Sequence, residues 1–198
     1  MLPLAPRVRT WASGAGAAMP TDIDDATTRL FFAIMPDEAA RARLDDIARG
    51  TARASGGRAS AAYTLHLTIV FVGTVPADSA VAVRAAGETL RWPSFELRLD
   101  ALGSFARAGI AWAAPSSVPP ELATANRELV RALADRGVPT DARPFRPHVT
   151  LVRRCSRVVE GPIEPPIAWN VDRVVLMSSR LLSEGPRYRE IAGWPTSP

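Results

Sequence analysis

From residue 29 onward the apolar and polar positions switch repeatedly between a strand pattern and a helix pattern. Residues 30–35 form an unbroken apolar run closed by Pro36, which predicts a short strand buried on both faces. Residues 37–49 follow with acids in the first turn and Gly50 as a stop, which predicts a helix. A Gly/Ser/Ala stretch over 54–60 reads as a loop, and 63–72 reads as a strand that halts at Gly73. Helical composition returns over 76–90, with Asp78 or Ser79 near its start. Strands are predicted over 95–102 and 110–114, joined through Gly103 and Gly109. A third helix spans 120–136 and stops at Gly137; after an irregular stretch a strand runs on from residue 148. Pro162, Pro165 and Pro166 predict a loop, followed by strands over 171–178 and 188–191.

The order strand, helix, strand thus occurs twice, which reads as a diverged internal duplication. Each second strand opens on the same four residues: His66-Leu67-Thr68-Ile69 and His148-Val149-Thr150-Leu151. These are the only two histidines in the chain. With threonine this frequent, both would be followed by Thr two places on about once in 230 random trials, so the pair is a specific signal. Strand geometry sends His and Thr to one face and both apolar residues to the other. Two such segments can oppose two imidazoles and two hydroxyls across a cleft between like lobes.

The chain has 198 residues, 47% hydrophobic and 22% charged, which suits one globular unit with a sizeable core. Residues 1–28 are rich in Ala, Gly, Pro and Arg and carry a second methionine at Met19; they are expected to be a disordered tail or an over-extended start. Residues 29–195 are expected to form a single bilobal domain. No apolar run is long enough for a membrane helix, and the lone Cys155 allows no internal disulfide, so a reducing, cytoplasmic setting is expected. Two histidines and one cysteine fit no structural zinc pattern. All 24 basic residues are arginine, giving a formal charge of +4. The absence of lysine excludes a P-loop, a Schiff base and a lysine-adenylating ligase, whereas arginine forks suit phosphate oxygens.

Chemistry follows from the paired motif. A phosphorus centre between two imidazoles can be attacked in line by water, one ring taking the water proton while the other protonates the departing oxygen. The Thr68 and Thr150 hydroxyls would donate to the non-bridging oxygens as negative charge grows there. No metal or other cofactor is required by that scheme.

In the same segments the chain resembles the two-histidine (2H) phosphoesterases, in particular the RNA 2′,3′-cyclic phosphodiesterase branch historically called 2′-5′ RNA ligase. The likeness rests on Arg29-Leu30-Phe31-Phe32-Ala33-Ile34, on His66 through Gly73, on Arg143-Pro144-Phe145-Arg146-Pro147-His148-Val149-Thr150-Leu151, and on Ser178-Ser179 and Tyr188 near the C-terminus. It implies a bilobal α+β fold in which antiparallel sheets from two pseudo-symmetric halves face a central cleft, with helices packed outside. It further implies opening of RNA terminal 2′,3′-cyclic phosphates to 2′-phosphomonoesters, with His66 as proton donor and His148 as acceptor. The expected partners are RNA ends or small cyclic nucleotides, with no membrane and no obligatory protein partner, the chain acting as a monomer. The resemblance places an arginine just past the second motif at Arg153, while strict alternation from His148 puts Arg154 on the same face; either a bulge re-aims Arg153 or Arg154 serves. Tyr63 could stack on a base, and Arg146 could meet a phosphate one nucleotide away. Alternatives are reversible 2′-5′ ligation, opening of another small cyclic phosphate, or, from another class, an RNA-end binding protein without turnover.

Overall fold

The computed structural model describes residues 27–197 apart from 142, 183 and 184; the expected N-terminal tail therefore lies almost wholly outside the described residues. Thr27 and Thr28, assigned above to the tail, are already in the first strand. In chain order the elements are β1 (Thr27–Ile34), α1 (Glu38–Ser55), β2 (Arg58–Ala59), β3 (Leu67–Pro76), α2 (Ser79–Glu88), β4 (Phe95–Phe105), β5 (Ile110–Ala114), α3 (Pro120–Ala134), β6 (Val149–Arg153), β7 (Gly161–Val171), β8 (Arg173–Leu182) and β9 (Gly185–Pro195).

The fold is mixed α+β. Its strands run in the order β7-β4-β5-β6-β3-β1-β8-β9, with β2 paired to β6, and the named pairings are antiparallel. The expected two sheets are present as four-stranded lobes, β3-β1-β8-β9 and β7-β4-β5-β6, joined into one sheet through a single residue pair, Leu67 with Val149. The lobes are not the two halves of the chain, because β8 and β9 return to flank β1. Nor do all the helices stay with their own strands. Helix α1, which follows β1, packs on β6 and β7 of the other lobe, and α3, which follows β5, packs on β3.

The core lies between one face of the sheet and the three helices. Leu30, Phe32 and Ile34 of β1, Leu67 and Ile69 of β3, Leu97 and Leu99 of β4 and Leu151 of β6 are buried against Leu44 of α1, Val83 of α2, and Leu122, Leu129 and Leu133 of α3. Each such side chain removed from water contributes about 1.5–3 kcal/mol. Phe32 stacks on Trp92 and Trp194 at ring separations of 6.4 and 5.7 Å, tying β1 to the C-terminal strand. A smaller cluster on the opposite face, Phe31, Ala33, Val175 and Met177, explains why β1 is apolar on both sides.

Several element boundaries differ from the sequence reading: the first motif strand begins only at Leu67, after a 3₁₀ turn over Ala62–Thr64, and does not halt at Gly73 but runs on to Pro76, paired with β1 throughout. Helix α1 passes Gly50 and ends at Gly56, whose φ of 69° is left-handed. Its buried stripe Ala40, Leu44, Ala48, Thr51, Ser55 continues past the glycine, and that burial outweighs the roughly 1 kcal/mol a helical glycine costs. The proline-rich segment is not a loop but most of β7. It is an edge strand, and Pro165 and Pro166 fall where its register with β4 breaks between Leu99 and Ala101, so no ladder bond is lost there. Strand β4 runs through Gly103 to Phe105, because Gly103 lies against the Trp112 ring, which a Cβ would meet at 2.4 Å.

Candidate active site

Both histidines sit one residue before a motif strand, β3 and β6, where the two lobes meet. The Leu67–Val149 pair turns both apolar side chains into the core and leaves the residues on either side facing the cleft. The antiparallel register set by that pair brings Thr150 opposite His66 and Thr68 opposite His148. The two imidazoles then stand on the diagonal, where side-chain origins are about 7–8 Å apart.

Each ring is anchored in the same way. The Nδ1 of His66 lies 2.7 Å from the Thr64 carbonyl oxygen, and the Nδ1 of His148 lies 2.7 Å from the Arg146 carbonyl oxygen. With Nδ1–H donating to a carbonyl, the neutral ring presents an unprotonated Nε2. Aromatic neighbours fix the ring planes: Phe31 at 4.8 Å and Tyr188 edge-on at 5.2 Å for His66, Phe105 edge-on at 5.0 Å for His148. Thr68 and Thr150 are half-buried, and among the described residues neither hydroxyl is taken up by a hydrogen bond.

Electrostatics follow from this packing. Burial lowers the pKa of His66, against the opposing bond to the Thr64 carbonyl, and the Arg153 and His148 charges lower it further. Burial likewise lowers that of His148, opposed by the Arg146 carbonyl and aided by Arg153. The Tyr188 phenol is raised by burial, partly offset by Arg153 and Arg29.

The two motif strands share a defect that positions the rest of the site. On β1, Phe32 pairs with Val70 and Ala33 with Thr68, so Ile69 is an extra residue in β3; on β5, Ala111 pairs with Val152 and Trp112 with Thr150, so Leu151 is extra in β6. Each is a β-bulge at the fourth motif residue, and both that residue and the next are buried. The bulge carbonyls are satisfied from outside the ladder: Asn126 Nδ2 of α3 donates to the Ile69 oxygen at 2.7 Å, and the Ser60 backbone N–H donates to the Leu151 oxygen at 2.8 Å. After the bulge the alternation is reversed, which returns Phe71 and Arg153, each five residues after its histidine, to the cleft face.

The two arginines past the second motif are placed differently. The charge of Arg153 reaches both imidazoles and Tyr188. Strict alternation, which favoured Arg154, fails at the bulge; Arg154 has a left-handed φ of 59° at the strand end. Tyr63, 67% exposed in the 3₁₀ turn before His66, is near enough to act on Tyr188 and stands at the edge of the site. Arg146 contributes its carbonyl, while its side chain is exposed. Phe31, Phe105, Tyr188 and Asn126 were not assigned a site role from sequence. The signal for the bulges was present, since two consecutive apolar residues follow Thr in both motifs.

Comparison with known proteins gives a consistent picture. The family model of the 2′-5′ RNA ligase superfamily matches residues 35–181. The RNA 2′,3′-cyclic phosphodiesterase of Escherichia coli is 32% identical over 168 residues, covering 84% of this chain and 95% of that protein. The protein of the same description from Thermus thermophilus is 30% identical over 174 residues, covering 81% and 86%. Among solved structures, apo E. coli LigT superposes with a TM-score of 0.80 at 29% identity, covering 88% of this chain and 100% of that one; LigT complexed with 3′-AMP gives 0.80 at 29%, covering 87% and 99%. Among the described residues no helix is long and apolar enough to cross a membrane.

Proposed function

The chain belongs to the 2′-5′ RNA ligase superfamily, and from that premise we propose that it hydrolyses terminal 2′,3′-cyclic phosphates of RNA to 2′-phosphomonoesters, using His66 and His148 as its acid and base. The observation that carries the reading is the duplicated placement of His and Thr about the Leu67–Val149 pair, each imidazole anchored at Nδ1 and open at Nε2. The relatives named RNA 2′,3′-cyclic phosphodiesterase, aligned over most of both chains, support the substrate class.

In the proposed step His148 Nε2 takes a proton from water as its oxygen bonds to phosphorus. The P–O3′ bond breaks, and O3′ receives the proton carried on His66 Nε2, leaving the phosphate on O2′. Thr68, Thr150 and Arg153 hold the non-bridging oxygens, where charge develops. One proton shared by the pair is the working state, since Arg153 disfavours charge on both rings and the His148 charge disfavours it further on His66. Tyr63 offers an exposed ring to the terminal base. Both proton transfers are supplied by side chains, so turnover requires no metal and the protein works on RNA ends without a protein partner.

The test is incubation of an oligoribonucleotide ending in a 2′,3′-cyclic phosphate with the protein and excess chelator, with the product separated from 2′- and 3′-phosphate standards. A 2′-phosphate formed at the chelator-free rate is expected. A 3′-phosphate, or no product, would refute the reading.

A further inference from the structure

The two motifs are not equal at the fifth residue past the histidine. The second lobe has Arg153 there and the first has Phe71, yet the guanidinium of Arg29, from the neighbouring strand β1, lies 4.8 Å from the centre of the Phe71 ring. The first lobe therefore also holds a cation near this position, stacked on the Phe71 ring. Arg29 pairs across the ladder with Ser179 of β8, and Ser179 pairs with Tyr188 of β9, so the three form one row across the sheet. The row shares a face with Phe31 and Ala33, which alternate with Arg29 along β1, and thus faces the cleft.

Three observations make this row a binding surface. Arg29 is exposed, and among the described residues no carboxylate pairs with it; the acid facing the same side, Glu190, is held by Arg173. Tyr188 joins the row to the reaction centre: its ring meets His66 at 5.2 Å and Phe31 at 5.2 Å, and the charges of both Arg29 and Arg153 act on its phenol. Arg29 stands two residues beyond Phe31, about 7 Å further along the strand, which is the scale of one internucleotide step.

We propose that Arg29, with the hydroxyls of Ser179 and Tyr188, forms a second anion subsite that takes the phosphodiester immediately 5′ to the terminal cyclic phosphate. The protein would then prefer RNA ends to free cyclic mononucleotides. This rests on the hydrolytic reading given above and deepens it. The guanidinium fork supplies the charge, the Phe71 ring holds it in place, and the hydroxyls donate to the remaining oxygen.

The experiment compares kcat/KM for a 2′,3′-cyclic mononucleotide, a dinucleotide ending in the same cyclic phosphate, and that dinucleotide with a neutral methylphosphonate linkage. Wild type is expected to favour the charged dinucleotide over both others. Arg29→Gln is expected to lower the dinucleotide-to-mononucleotide ratio about tenfold and to abolish discrimination between the charged and neutral linkages, with Arg29→Lys restoring part of it. A ratio unchanged in Arg29→Gln, or turnover of all three substrates falling in step, would overturn the subsite while leaving the histidine pair standing. If wild type opens none of the three, the hydrolytic reading and the subsite fall together.

Discussion

Each motif imidazole is fixed at Nδ1 by a carbonyl two residues earlier, so its protonation at Nε2 answers to burial and to Arg153. Both pKa values lie below the ordinary value near 6.5. The base must be neutral, so activity falls as pH drops through its pKa; the acid must be protonated, so activity falls as pH rises through its own. The profile of kcat/KM, which reports the free enzyme, is therefore expected to peak on the acid side of 6.5. Arg153→Gln removes a cation that lowers both values, so both limbs should move to higher pH. Because burial is the larger cause, the optimum should remain below 6.5. Limbs that stay in place or move down would show that Arg153 does not face the pair. His66, Thr68, His148 and Thr150 were legible in the sequence because period-two alternation holds over so short a span. The placing of Arg153 rather than Arg154 on the cleft side was not legible there, because it depends on one extra residue in β6 that alternation does not count.

The element that delivers these side chains is a strand bent by a bulge, and each bulge is held by a hydrogen bond from elsewhere in the chain. Asn126 is the clearest case, since α3 lends its amide to the Ile69 carbonyl beneath His66 and Thr68. Asn126→Ala leaves that buried carbonyl unmet. It is expected to cost about 1–3 kcal/mol, seen as a lower denaturant midpoint at unchanged slope, and to reduce kcat more than it alters KM. Unchanged stability would mean that the bulge holds itself. At this scale the sequence reading placed the helices and most strands, and it failed where tertiary contact overrode a local signal. Gly50 did not stop α1 because Thr51 and Ser55 extend its buried stripe, and the prolines did not prevent β7 because an edge strand can leave their positions unpaired.

Across the whole molecule the lobes share one residue pair in the sheet but exchange helices above it, α1 lying on β6 and β7 and α3 on β3. Neither lobe can bury its core face without a helix contributed by the other's chain segment. Residues 29–195 are accordingly expected to unfold in a single transition, with near-ultraviolet and far-ultraviolet circular dichroism coinciding; two separated transitions would contradict the exchange. The duplication was legible in the sequence because the histidine motif marks it. The exchange was not, because it concerns which sheet a helix covers, and an amphipathic stripe records only that some apolar face is covered. The same exchange bears on function, since it clamps both motif strands where each imidazole meets the other lobe's threonine.

The most direct test of the histidine pair is single-turnover hydrolysis of a 2′,3′-cyclic-phosphate-ended RNA by wild type, His66→Ala and His148→Ala, each verified as folded by circular dichroism. Each substitution is expected to slow phosphate opening by about 10² to 10⁴ with the fold intact. Undiminished opening by either folded variant would contradict two-histidine catalysis.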